Sequence, residues 1–304
     1  MTAQGPGPPR LSDRQVGILF IVPFVVTAVV FMGYPVVQAV RMAFYSVNPL
    51  RPGHDTFVGL DNFYTLFADP LFWDSFVQAT VWTLSSIFLQ TVIGVALALL
   101  LHVPLRGISV FRGLLLFPYI VPTVVIALIW RWMFNPEIGV VNYSLMSIGL
   151  IEENIYWLST PTIAMASTVM LNVWKYTPFV IICVLAKLQT IPLELYDAAK
   201  VDGAGPWRRF VDITLPQLKE VLIVVVVFRT IWTFNKFEEI YLLTKGGPGT
   251  STFNLAIYSF EQSIANLRMG VGAATAVVMM VFLFLGSVLY LHVFRFAEEE
   301  EEEA

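Results

Sequence analysis

Charge is what this sequence has least of. Only 13% of its 304 residues are Asp, Glu, Lys or Arg, about half the roughly 25% of soluble chains. That scarcity excludes a soluble enzyme, a disordered chain and a nucleic-acid binder. Six of the 22 acids form one run, Glu298 to Glu303, so the net charge of −4 says nothing about partners. Cysteine is nearly absent. Cys183 stands alone inside an apolar run, which leaves no intramolecular disulfide to form. The three histidines, His54, His102 and His292, sit at or beyond the ends of apolar runs without metal-ligand spacing, so no metal site is expected. No Gly-Lys dipeptide occurs, which removes the phosphate-cradling loop of nucleotide hydrolases. No nucleophile–base pair presents itself either. The chain is expected to have no catalytic residues and not to be an enzyme.

What is present is apolar: 57% of the residues are hydrophobic and 14% aromatic. A helix needs about 20 apolar residues to cross a hydrocarbon core of roughly 30 Å. Six runs meet that length: Gly17–Val40, Phe76–Leu101, Gly113–Phe134, Thr162–Leu185, Val221–Leu243 and Val271–Phe294. The expectation is an all-α integral membrane protein of six spans in a bilayer. Pro118 and Pro122 in the third run and Pro178 in the fourth are expected to be tolerated, as helix breakers are where neighbours satisfy the freed carbonyls. The first run is too long for a cleaved signal peptide and lacks a small-residue cleavage site.

Lys and Arg set the orientation. Arg10, Arg14, Arg106, Arg112, Lys187, Lys200, Arg208, Arg209, Lys219 and Arg295 fall on one side, and Arg41, Arg51, Lys245 and Arg268 on the other. Ten against four places both termini in the cytoplasm. The organisation is then an N-terminal tail over 1–16, a six-span domain over 17–294 and an acidic tail over 295–304, the last read as solvated and disordered. The longest cytoplasmic connection, 186–220, is also the most polar.

Within it, Pro192 suits a first helical position and Glu194 a helix N-terminus. A short helix over Leu193–Val201 follows, carrying the small pair Ala198 and Ala199. Asp202-Gly203 makes a turn. A second short helix runs through Trp207 and Phe210, and Leu215-Pro216 leads into the fifth span. On periodicity alone, an amphipathic connector lying on the bilayer surface is an equal alternative.

The stretch Asp197-Ala198-Ala199, Asp202-Gly203-Ala204, Ile213-Thr214-Leu215-Pro216 resembles the cytoplasmic motif of permease subunits of bacterial ABC importers, carbohydrate class. That motif runs Glu-Ala-Ala, three residues, Gly, then Ile-x-Leu-Pro. Asp197 replaces its usual glutamate and Glu220 stands where a trailing proline is common. Tyr34-Pro35, the segment Phe57–Phe63, Trp130–Pro136 with Gly139 and Asn142, and Leu243–Gly249 also look like this class. They match the first of the two permeases in the maltose, glycerol-phosphate and trehalose kind. The resemblance implies the type I importer permease fold in a bacterial inner membrane. It also implies a second permease, two cytoplasmic ATPase subunits that hold ATP and Mg, and an extracytoplasmic sugar-binding protein. No cofactor is implied in this chain. Glu194, Asp197, Ala198, Ala199, Asp202, Gly203 and Ala204 would couple to the ATPase.

Ionisable groups inside spans mark a pathway, a pair or a snorkelling end. Arg131, beside Trp130 and Trp132, reads as snorkelling into an interfacial belt. Arg229 lies roughly 12 Å into the fifth span, with Thr233 and Lys236 on the same face and Trp232 adjacent. Asn172, Lys175, Tyr176 and Phe179 form a stripe on the fourth. No acid is expected near enough to neutralise Arg229, although Lys236 could pair with Glu238 or Glu239. These two stripes are the expected substrate pathway, with aromatic faces for a pyranose and polar groups for its hydroxyls. Two cations at one depth fit an anionic sugar, while an arginine also hydrogen-bonds neutral hydroxyls; both readings stand. The alternatives in function are an ABC permease for a non-sugar solute and a secondary transporter, which would need coupling acids within the spans.

Overall fold

The computed structural model describes residues 12–51, 53–103 and 107–302. The expected Gly/Pro-rich start, the counted cations Arg10 and Arg106, and the last residues of the acidic tail lie outside them.

The first apolar run begins as α1 (Asp13–Ala28), passes through a π-helical turn over Val29–Gly33, and continues as α2 (Tyr34–Ala43). Pro35 explains the widened turn. A proline ring clashes with the carbonyl four residues back, and a π turn opens that spacing. Strands β1 (Tyr45–Ser46) and β2 (Thr56–Phe57) pair antiparallel, with Tyr45 opposite Phe57. The next helix is α3 (Asp61–Ala68), and Asn62 pins it by donating to the carbonyls of Ala43 and Tyr45, both at 2.9 Å. Asp69 then caps α4 (Pro70–His102), its carboxylate accepting from the Leu71 N–H at 2.9 Å. Tyr258 holds the other oxygen of that cap at 2.7 Å.

The third run is not one straight helix. Helix α5 (Ile108–Ile120) stops, and α6 (Thr123–Met133) leaves at 98° to it. Pro122 has no N–H, and it forces Val121 into the extended region (φ −68°, ψ 134°). Pro122 thus breaks the run, while Pro118 is absorbed inside α5. A short α7 (Val140–Ser147) leads to α8 (Pro161–Leu188), in which Pro178 is accommodated without a break.

The long connection forms α9 (Leu193–Val201), closed by a Schellman motif: Gly203 N–H meets the Lys200 carbonyl at 3.1 Å and Ala204 N–H the Ala199 carbonyl at 2.8 Å. Gly203 supplies the positive φ of 78° that this closure needs. The expected second short helix is not separate. Helix α10 (Pro206–Arg209) passes through a π-helical turn, Phe210–Thr214, straight into α11 (Leu215–Phe234). Pro216 again follows a widened turn.

The fifth run also breaks. Helix α11 ends at Phe234, and α12 (Glu238–Thr244) starts after a non-helical Asn235–Phe237. Asn235 is a poor helix former that turns its amide back onto the Ile231 carbonyl at 2.8 Å. Helix α13 (Leu255–Phe260) and α14 (Met269–Glu302) complete the chain. Helix α14 carries on into the glutamate run, where an irregular tail was expected; glutamate is a good helix former.

Among the described residues, four helices are long and apolar enough to cross a membrane, five if the bent α5–α6 pair counts as one span. Helix α11 has 20 residues, about 30 Å, but it carries Lys219, Glu220 and Arg229. Helices α4 and α8 pack side by side at the centre. A Cβ built on Gly94 would lie 2.7 Å from Val180 Cβ, so only glycine lets the backbones come this close. Around the C-terminal ends of α4 and α8, Ala98, Leu101, Val184, Leu188, Ile191 and Leu218 form one buried cluster.

Candidate functional site

Because the chain breaks after Phe234, α12 turns a carboxylate back into the helix bundle. Glu239 is buried, and its two oxygens are both used. One accepts from Asn172 Nδ2 at 2.6 Å and the other from the Tyr176 hydroxyl at 2.5 Å. Lys236 Nζ stands 3.7 Å from the second oxygen and donates to the Tyr176 hydroxyl at 2.8 Å. From Asn172 the chain of bonds continues into α4: Gln90 Nε2 donates to Asn172 Oδ1 at 2.7 Å. Arg229 Nε donates to Gln90 Oε1 at 2.9 Å, and Nη2 to Thr233 Oγ1 at 3.1 Å. Five helical segments or their junctions thus meet in one hydrogen-bonded network. Such buried groups are tolerated only when paired.

Tyr176 is its hub. The guanidinium of Arg229 lies 4.3 Å from the ring centroid, Lys236 Nζ 4.8 Å and Lys175 Nζ 5.4 Å. Three cations over one ring are a cation–π cluster. Lys175, 3% exposed, donates at 2.5 Å to the Val121 carbonyl, the acceptor freed where α5 bends into α6. Arg229 is 1% exposed.

Next to this cluster runs a row of rings nearer the surface. Tyr119 approaches Tyr176 at 6.1 Å and stacks on Phe179 at 6.3 Å. Phe179 meets Trp232 edge-on at 5.5 Å, and Trp232 meets Phe228 at 5.8 Å. Trp232 is 44% exposed. On α4, the face that carries Gln90 also carries Trp82, Thr83 and Ser86, whose buried polar atoms have no partner among the described residues. A cavity of about 880 Å³, mainly apolar, lies elsewhere, between α4 and the Trp207–Phe210 segment.

The second candidate region is α9. None of its residues is buried, and Val201 is 88% exposed. It hangs from the bundle through Ile191 in the buried cluster at the ends of α4 and α8 and a 3.0 Å bond between Tyr196 and Thr214 hydroxyls. Asp197 pairs with Lys200 at 2.7 Å, both side chains more than half exposed. Glu194, Ala198, Asp202 and Gly203 are exposed, with Ala199 and Ala204 partly covered.

The structure therefore gathers Asn172, Lys175, Tyr176, Arg229, Thr233 and Lys236 into one cluster. It puts Phe179 and Trp232 on the adjoining aromatic row. The expectation that no acid serves Arg229 is corrected: Glu239 reaches it through Asn172 and Gln90. Read as one continuous helix to Leu243, the fifth run carries Glu239 past Arg229, and only the break at Asn235 brings it back. Gln90 was missed because it is a lone amide in a long apolar run. Its spacing from Ser86 and Thr83 was the available signal.

A family described as "Binding-protein-dependent transport system inner membrane component" matches residues 90–298. Among similar proteins is the sulfoquinovosyl glycerol transport system permease SmoG of Agrobacterium fabrum, 37% identical over 94% of this chain and 92% of its own. Another is the trehalose/maltose transport system permease MalF of Thermococcus litoralis, 36% identical over 95% of this chain and 97% of its own. Among solved structures, a chain of a bacterial ABC transporter that imports the acidic polysaccharide alginate superimposes with a TM-score of 0.79. It is 24% identical, covering 92% of this chain and 95% of that one. That likeness is one of fold.

Proposed function

The chain belongs to the inner membrane components of binding-protein-dependent transport systems, and from that premise we propose that it is one permease of an ATP-driven carbohydrate importer. Two relatives above one-third identity carry sugar cargoes in their names, sulfoquinovosyl glycerol and trehalose/maltose. A second permease completes the pathway, two ATPase subunits hold ATP and Mg, and a sugar-binding protein delivers cargo from outside. Six segments cross the bilayer with both termini in the cytoplasm, the orientation that ten Lys and Arg against four favour.

The observation that carries this reading is α9. A nine-residue helix with no buried residue, exposing Leu193, Leu195 and Val201, presents an apolar surface that a partner would cover. The ATPase is that cover: Glu194, Asp197 and Asp202 supply charge, Ala198 and Ala199 close approach, Gly203 and Ala204 the turn. Closure of the ATPases pushes α9, and Tyr196–Thr214 passes the push to the run from α10 through α11. That run ends in the cluster of Arg229, Thr233 and Lys236 against Asn172, Lys175, Tyr176, Phe179 and Trp232, where cargo crosses. Alternating access follows when this cluster opens first outward, then inward.

ATP hydrolysis by the assembly that co-purifies with this chain, in nanodiscs, tests the reading. Sugar-loaded binding protein should stimulate it, and Cys replacing Ala198 should crosslink to an ATPase subunit. If no ATPase co-purifies, or if the crosslink forms only to lipid-facing probes, the reading fails. A bilayer-surface connector would then explain the loop.

A further inference from the structure

The charges and donors around Tyr176 do not balance. Lys175, Arg229 and Lys236 are three cations, and Glu239 is the one acid that any of them touches among the described residues. Glu238, the next acid along, is exposed. The donor census leans the same way. Two ammonium groups and a guanidinium offer 11 N–H donors. Their hydrogen bonds go to Val121, Tyr176, Gln90 and Thr233. Meanwhile both oxygens of Glu239 are already engaged by Asn172 and Tyr176. Spare donors and spare positive charge therefore sit together, in a place where unpaired charge is expensive.

Within the carbohydrate-importer reading, on which this rests, the geometry points to an anionic cargo: a pyranoside bearing a sulfonate, carboxylate or phosphate. The anionic group is acceptor-only and carries the missing charge, so it completes the cluster as a neutral hydroxyl does not. Lys236, whose side chain is 28% exposed, is the outermost of the three cations and meets the anion first. The row Tyr119, Phe179 and Trp232 lies beside it, with two rings partly exposed, and covers an apolar face of the sugar. A neutral cargo would use the rings and leave the cations unmatched.

The test is uptake by proteoliposomes holding the whole assembly with its binding protein. Three probes are compared: a 6-sulfonated methyl glycoside, methyl glucuronide and methyl glucoside. At least one anionic probe should accumulate about tenfold above methyl glucoside, the effect of one ion-pair term of this kind. Lys236→Gln should cut anionic uptake by about the same factor, and Lys236→Arg should restore it. Equal uptake of methyl glucoside and the anionic probes overturns the anionic assignment and leaves the carbohydrate reading standing. So does a Lys236→Gln effect that is the same for charged and neutral sugars, or one that Lys236→Arg fails to rescue. Accumulation of none of the three, with ATP hydrolysis unresponsive to every sugar, overturns both.

Discussion

Tyr176 touches every charged member of the buried cluster by ring or hydroxyl, which makes it and Glu239 the residues whose loss is felt most widely. Removing the carboxylate leaves Lys236 without its ion partner and strands two donors, so Glu239→Leu should destabilise by about 3–5 kcal/mol. Tyr176→Phe keeps the ring and loses one donor and one acceptor, for about 1–3 kcal/mol. Thermal midpoints of the detergent-solubilised assembly would measure both. Near-equal shifts for the two variants would mean that the carboxylate matters only as the hydroxyl's partner. Gly203→Ala acts differently. It adds no clash, because nothing lies within 4 Å of a Cβ there, but a positive φ of 78° costs an L-residue about 1–2 kcal/mol. Sugar-stimulated ATP hydrolysis should fall while basal hydrolysis by the ATPases persists; unchanged stimulation would show that the α9 closure is not required for coupling.

Among elements, the first, second, fourth and sixth apolar runs were legible because their helices run on through whatever competes with them, Pro35 by way of a π-helical turn and Pro178 without a break. The third and fifth were not. Hydropathy registers Pro122 and Asn235 as small dips, whereas the backbone registers them as a missing N–H and a side chain that takes over a main-chain carbonyl. The α9 helix and its glycine turn were readable from local chemistry, since cap, small pair and turn all lie within a dozen residues. The cluster was half readable. Its cations stand out in an apolar background, while Gln90 and Glu239 join only through tertiary contact between segments 139 and 67 residues away from their partners. Packing of α4 on α8 rests on Gly94, so Gly94→Ala should push the two helices apart at Val180 and cost about 1–3 kcal/mol. A Gly94→Ala, Val180→Ala double variant should recover part of that loss; no recovery would place the strain elsewhere.

For the whole molecule, the described surface is dominated by apolar side chains, and the first helical run is largely uncovered: Phe20 and Phe24 of α1 and Phe31 of the π-helical turn are each about three-quarters exposed. Lipid and the second permease are what such a surface meets. The orientation is open to direct measurement. In a Cys183→Ser background, Ser147→Cys should react with a membrane-impermeant maleimide added outside intact cells, and Asp202→Cys only after permeabilisation. The reverse pattern would invert the topology and remove the ATPase from the α9 side.

The unbroken helical run from Pro206 to Phe234 has a mechanical consequence. Roughly 35 Å of stiff helix separates Pro206 from Arg229, with the Gln90 bond acting close to its far end. A rotation of about 10° at the near end sweeps the far end through some 6 Å, by the length of that arm, more than enough to pull Arg229 Nε off Gln90. Under the proposed coupling, a small stroke at the ATPase would be read at the far end as loss of the Arg229–Gln90 hydrogen bond, and the π-helical turn at Phe210–Thr214 is the place where softening the arm would waste the stroke. Thr214→Val, which also removes the bond to Tyr196, should leave ATP hydrolysis running while sugar uptake by proteoliposomes falls; unchanged uptake would show that the push takes another route.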